Sequence, residues 1–153
     1  MAAPVLRWVA HGGPDYLALV ELRRAVLRRP LGLDFTTEQL AAEKSQFHLG
    51  AWDGERAVGC LALLMSPGEA RMRQVAVAAD AQGRGVGRLL VAEFEAAARR
   101  RGAARVTLHA RQTAVAFYDR LGYAAEGEPF AEVGLPHRSM SKALAAKAEL
   151  TPE

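Results

Sequence analysis

Cysteine is nearly absent: Cys60 is the one thiol in 153 residues. That excludes an intramolecular disulfide and a cysteine-rich zinc site, and no metal is expected. Cys60 lies in the apolar run 57–64, where a buried, inert thiol is expected rather than a nucleophile. Long apolar stretches are missing too. No segment approaches the ~18 residues of a membrane span, and none follows the first residues as an export signal would. The chain is therefore expected in the cytoplasm. A strong charge of one sign is also lacking, since the formal net charge is only +3. The main basic run, Arg99-Arg100-Arg101, falls at the end of a predicted helix, where cations complement the helix dipole. No aromatic residues interleave with it, as a single-strand nucleic-acid surface would require, so no nucleic-acid partner and no membrane are expected. Repeats, linkers and low-complexity tracts are absent, so residues 1–144 read as a single domain and 145–153 as a polar tail.

Half of the residues are hydrophobic, enough for a core in a chain of one-domain length. Alternation predicts a strand at 5–9. Pro14 opens a helix that ends before Pro30, with Leu17, Val20, Ala25 and Leu27 at roughly helical spacing. Residues 29–35 read as a loop. Thr36 with Gln39 is a capping-box signal for a short helix to about Lys44. Strands follow at 47–52, 56–65 and 70–77, joined by turns at Asp53-Gly54 and 66–69, which makes an antiparallel meander. A long helix is predicted over 85–101, with Leu89, Leu90, Phe94 and Ala97 on its apolar face and Gly102 as its stop. A strand at 105–110, a helix at 113–121 and a strand region beginning at Gly122-Tyr123 complete the chain. The strand–helix–strand spacing implies a right-handed parallel crossover.

The sharpest local feature is Val75-Ala76-Val77, a short turn, then Gln82-Gly83-Arg84-Gly85-Val86-Gly87-Arg88. Glycines let backbone approach a ligand closely, and the following helix presents unpaired N–H groups and the positive end of its dipole. Such a turn suits a pyrophosphate, and Arg84 and Arg88 add side-chain charge. A Walker loop is excluded because no lysine follows the last glycine. A dinucleotide fingerprint fits poorly, because Arg88 stands where the third glycine would be and no acidic residue lies about 20 positions on.

The pattern Gln82, Gly85, Gly87 resembles the acetyl-CoA loop of the GNAT superfamily of N-acyltransferases. The run Ala114-Val115-Ala116-Phe117-Tyr118-Asp119-Arg120-Leu121-Gly122-Tyr123 is similar to that superfamily's second signature, Ala-x-x-Phe-Tyr-x-Lys-x-Gly-Phe/Tyr. The two stand in the family's order with one strand between them. The stretch Gly134-Leu135-Pro136-His137-Arg138-Ser139-Met140 is similar to a Gly-Ile-Pro-His-x-x-Met ending in one group of small bacterial members. The resemblance implies an α/β (α+β) fold, with a mixed central sheet of six or seven strands, an N-terminal antiparallel meander and about four helices. It implies an N-acetyltransferase using acetyl-CoA as co-substrate, with a small primary amine as acceptor, acting as a monomer or homodimer.

By the same resemblance, Val75, Ala76, Val77, Gln82, Gly83, Arg84, Gly85, Val86, Gly87, Arg88, Ala114 and Phe117 would meet the cofactor. The backbone of Val75 and Val77 would pair with its pantetheine, and one of their N–H groups would support the thioester oxyanion. Tyr118 is the expected general acid toward the leaving thiolate. Phe117 and Leu121, four apart, are expected in the core. The glutamate that some members carry eleven positions ahead of the glutamine is replaced here by Arg71, and a common asparagine by Arg111. Glu132, His137 and His109 are the fallback candidates for the base, while His11 and His48 have no supporting neighbours in sequence. Arg71, Arg73 and Arg111 meet either an anionic group on the acceptor or the phosphates of coenzyme A. The loop 29–35 is expected to cover the acceptor. The competing reading is a non-catalytic coenzyme A sensor or partner module on the same fold, for which the Arg71 departure speaks.

Overall fold

The computed structural model describes residues 3–145; most of the predicted polar tail lies outside them. The elements in chain order are β1 (Val5–Val9), α1 (Pro14–Arg23), α2 (Thr37–Ala42), β2 (Phe47–Asp53), β3 (Arg56–Ser66) and β4 (Glu69–Val77). They are followed by α3 (Val86–Arg100), β5 (Arg105–Arg111), α4 (Val115–Arg120), β6 (Ala124–Glu132) and β7 (Leu135–Ala143). Seven strands lie in the order β1-β2-β3-β4-β5-β7-β6, a mixed α/β architecture. The described residues fall into two compact units, 3–64 with 74–94 and 65–73 with 95–145.

In the first unit, β2 pairs antiparallel with β1 and with β3. β2 and β3 are buried on both faces over most of their length, which is why 57–64 reads as a continuous apolar run rather than an alternating one. Leu19, Trp52, Cys60 and Ala76 form one core cluster, and Tyr16, Val20 and Phe35 another. Gly59 lets the start of α3 settle on β3: a Cβ there would stand 2.8 Å from Val86 and 2.9 Å from Leu90. The capping box at Thr36 and Gln39 forms in both directions, at 2.8 and 3.1 Å. A buried ion cluster joins α1 to the turn after α2. Both nitrogens of the Arg23 fork donate to Glu43, at 2.8 and 2.5 Å, and the Tyr16 hydroxyl donates to the same carboxylate at 2.7 Å.

In the second unit, β4 pairs parallel with β5 over Glu69–Met72 and Arg105–Leu108, and β7 pairs antiparallel with both β5 and β6. The end of α3 closes with Gly102 left-handed, its N–H on Arg99 O and that of Ala103 on Ala98 O. These two bonds are the Schellman pattern, so Gly102 stops the helix as expected. Glu95 is buried and accepts from the Tyr123 hydroxyl and from Lys142 Nζ. β6 is exposed along nearly its whole length and carries Pro129 and a bulge between Glu126 and Phe130, both devices that blunt a free edge.

Four expectations are corrected. The hairpin turn after β2 is Gly54-Glu55, because Asp53 still pairs with Arg56 and the left-handed residue is Gly54. Leu17 and Leu89 face outward, 55% and 38% exposed; α1 is anchored by Tyr16, Leu19, Val20 and Arg23, and α3 by Val86, Leu90, Val91, Phe94, Ala97 and Ala98. A single helical stripe holds about half of the positions, so an apolar residue next to it in sequence points away. The loop at 29–35 begins with a short 3₁₀ turn, Arg29–Leu31. The last strand region starts at Ala124, and it is a hairpin of two strands turning at Val133-Gly134, both with positive φ. That geometry normally selects asparagine or glycine, and a valine in the first position hid the turn.

Candidate functional site

In the first unit, the predicted loop is built as its glycines demand. Gly83 and Gly85 take φ of +77° and +80°, a region other residues enter at a cost. A Cβ at either would meet nothing within 4 Å, so their outer side is open. Val86 then starts α3 with its side chain buried, which pins the loop to the core and leaves its backbone to face outward. The N–H groups of the first turn have no partners inside the helix. Arg84 and Arg88 flank them, exposed and without an ion pair among the described residues. Gln82 serves the loop itself, donating from Nε2 to Val77 O at 3.1 Å. Val75 and Val77 are half-buried and Ala76 is buried. Just ahead of them Gln74 has φ of +55° in mid-strand, a strained conformation for a non-glycine residue, and its carbonyl accepts from the Cys60 thiol at 3.6 Å. No pattern in the sequence marks Gln74. Burial pushes the Cys60 thiol up to about 12, so Cys60 is inert at neutral pH.

The second unit holds the remaining predicted residues. Tyr118 is buried and its hydroxyl makes no hydrogen bond among the described residues. Burial pushes its phenol well above the ordinary tyrosine range, so it keeps its proton at neutral pH. Its ring meets Phe117 and Tyr123 edge-on, at 5.0 and 5.8 Å. Phe117 and Leu121, expected in the core, are only half-buried; α4 is six residues long, and its inward position is taken by Tyr118. Ala114, half-buried, caps the start of α4.

Arg71, His109, Glu132 and His137, separate in sequence, come together here. Arg71 Nη2 donates to His109 Nε2 at 3.0 Å, and His109 Nδ1 donates to Glu132 Oε1 at 2.9 Å. A guanidinium can only donate, so His109 is held in the Nδ1–H tautomer. His137 donates from Nδ1 to Leu135 O at 2.9 Å, and its Nε2 stands 3.7 Å from Glu132 Oε2. Phe130 packs beside both rings, at 4.9 and 6.0 Å; sequence reasoning missed it, and its alternation with Glu132 on one strand was the available sign. Arg111 lies opposite His137 in the β5–β7 register, and Arg73 is half-buried on β4. His48 and His11 do have partners, in the first unit. His48 Nε2 bonds Glu43 O at 3.0 Å and His11 Nε2 bonds Leu40 O at 2.8 Å. Among the described residues no group of three or more His, Cys, Asp or Glu is placed to hold a metal ion. No helix among them is long and apolar enough to cross a membrane.

Comparison with known proteins adds to this geometry. The family model described as "Acetyltransferase (GNAT) domain" matches residues 31–144. The curated relative YjcF of Bacillus subtilis (strain 168), an uncharacterized N-acetyltransferase, is 33% identical over 101 residues, 65% of this chain and 72% of its own length. Among solved structures, one from Lactobacillus plantarum has a TM-score of 0.82 at 23% identity, covering 94% of this chain and 99% of that one. A GNAT family acetyltransferase from Elizabethkingia anophelis, solved with acetyl-CoA bound, has a TM-score of 0.73 at 15% identity, covering 94% and 100%.

Proposed function

The chain belongs to the GNAT acetyltransferase family, an acetyl-CoA-dependent group, and from that premise we propose that it acetylates the primary amine of a small acceptor by direct attack within a ternary complex. The observation that carries this reading is the loop before α3. Gly83 and Gly85 are left-handed with open space beside them, and a buried Val86 fixes the first turn of a 15-residue helix behind them. Free N–H groups, the helix dipole and the side chains of Arg84 and Arg88 then all favour a pyrophosphate. In this reading Val75, Ala76 and Val77 supply backbone to the pantetheine, and Ala114 and Phe117 supply apolar surface. Arg73 and Arg111 favour an anionic group on the acceptor or on coenzyme A.

Tyr118 is the proposed acid. Its hydroxyl has no hydrogen-bond partner among the described residues and keeps its proton until charge builds on sulfur. A phenol pushed up by burial is a weaker acid than a free thiol, so the donation belongs to the transition state, as charge develops on sulfur, and not to the ground state. The amide nitrogen's second proton then restores the phenol. The test is release of free thiol from acetyl-CoA with a broad panel of amines. Arg71 in place of the glutamate of some family members favours a second reading, a coenzyme A sensor without turnover. That reading predicts tight acetyl-CoA binding with no thiol release across the panel.

A further inference from the structure

The hydrogen bonds among Arg71, His109, Glu132 and His137 have a direction. Arg71 donates to Nε2 of His109, which therefore keeps its proton on Nδ1 and gives that hydrogen bond to Glu132 Oε1. Glu132 Oε2 is left with no hydrogen bond among the described residues, 3.7 Å from His137 Nε2. The N–H of His137 is committed at Nδ1 to the Leu135 carbonyl, so the lone pair of the neutral ring lies on Nε2 and faces the carboxylate. The side chain of Glu132 is 45% exposed and that of His137 only 4%. An open carboxylate stands in front of a sealed proton acceptor.

From this arrangement we infer that Glu132 is the general base that deprotonates the acceptor's ammonium group. His137 takes the proton on from Oε2, and His109, held by Arg71, is a positioning residue for the carboxylate. The inference rests on the acetyltransferase reading above and supplies the base which that reading lacks. It names the acceptor class as a protonated amine, drawn to Oε2 by charge.

The ammonium gives one proton to Oε2, which passes it to His137 Nε2. The neutral nitrogen attacks the thioester carbon, the N–C bond forms and the C–S bond breaks with its electron pair on sulfur. Tyr118 protonates that sulfur and is restored by the second proton of the nitrogen. The proton on His137 returns through the half-exposed Glu132 carboxylate to solvent, and the amide keeps one hydrogen. Among the described residues, Glu132 and Phe130 on β6 stand beside His137 and Arg111 lies opposite it on β5, with His109 beyond them against Glu132 and Phe130. Arg71 on β4 reaches Glu132 through His109.

The experiment follows thiol release from acetyl-CoA against pH for the full chain and for Glu132→Gln, Glu132→Ala and His137→Gln, with acetyl-CoA affinity measured by calorimetry. Glu132→Gln is expected to lower kcat by ~10²–10⁴-fold, the usual range for a lost acid or base, with the affinity for acetyl-CoA unchanged. Added formate should restore part of the rate to Glu132→Ala. His137→Gln should move the acidic limb of kcat/KM, a readout that a packing defect would leave in place. If the parent turns over and Glu132→Gln matches it, the base assignment is overturned and the acetyltransferase reading stands. A parent silent with every amine overturns that reading, and this inference with it.

Discussion

Two clusters in this protein are each built around a glutamate and put it to opposite ends. In the first unit Glu43 is sealed: Arg23 grips both of its oxygens, Tyr16 donates to one of them, and the carboxylate is 3% exposed. Burial pushes its pKa up, but the bonds and charge of Arg23, with the Tyr16 hydroxyl, outweigh burial and hold it below the ordinary glutamate value. Both of its oxygens are engaged. In the second unit Glu132 has one oxygen engaged by His109 and the other open beside His137. A saturated carboxylate ties elements together, whereas an unsaturated one is available for chemistry. The difference lies in burial and bond count.

The largest effect expected from this contrast is on stability. Glu43→Gln leaves the Arg23 guanidinium buried without its counter-charge, and breaking a buried pair this way costs about 3–5 kcal/mol. Glu132→Gln, at a half-exposed position, should stay within about 0.5 kcal/mol. Urea unfolding of the two variants measures both, and equal losses would erase the distinction between the clusters.

Next comes the ligand. Gly85→Asp should abolish acetyl-CoA binding by placing a like charge against phosphate, while the fold survives. The space beside Gly85 is open, and aspartate tolerates left-handed backbone better than most residues. Calorimetry with unchanged affinity would move the phosphates elsewhere. Tyr118→Phe removes a hydroxyl and almost no packing surface. It should keep that affinity and lower kcat at least about tenfold, the low end for a general acid. Turnover equal to the parent's would remove Tyr118 from the mechanism.

The sealed cluster should also write itself into the pH dependence of stability. Glu43 has a depressed folded pKa, so its contribution is present above the unfolded glutamate value and is lost as pH falls through the folded one. Tyr16 is pushed up to about 12 by burial and by Glu43. Above about 10 the unfolded chain gives up the tyrosine proton first, so stability falls as pH rises between the two values. Urea midpoints against pH should show both shoulders in the parent, and the acid one should shrink in the double variant Arg23→Met with Glu43→Leu. The smallest effect is on salt. Replacing Arg84 and Arg88 by Gln should flatten the fall of acetyl-CoA affinity with ionic strength, and an unchanged slope would separate these arginines from the phosphates.

Features that depend on neighbours a few residues apart were open to sequence reading. The capping box of Thr36 and Gln39, the stop at Gly102 and the glycine turn before α3 are of this kind, since each is decided by backbone geometry within one turn. The parallel pairing of β4 with β5 followed from the helix between them. Other features needed partners distant along the chain. That Leu17 and Leu89 face out depends on which stripe the sheet covers, and alternation cannot rank two adjacent leucines. Gln74 takes its strained φ inside a strand whose sequence shows no break. Arg71 meets His109 across 38 positions and His109 meets Glu132 across 23. The residue types announced acid–base chemistry, but only strand register brings them within hydrogen-bond reach, because pairing between strands carries no local signature in either one.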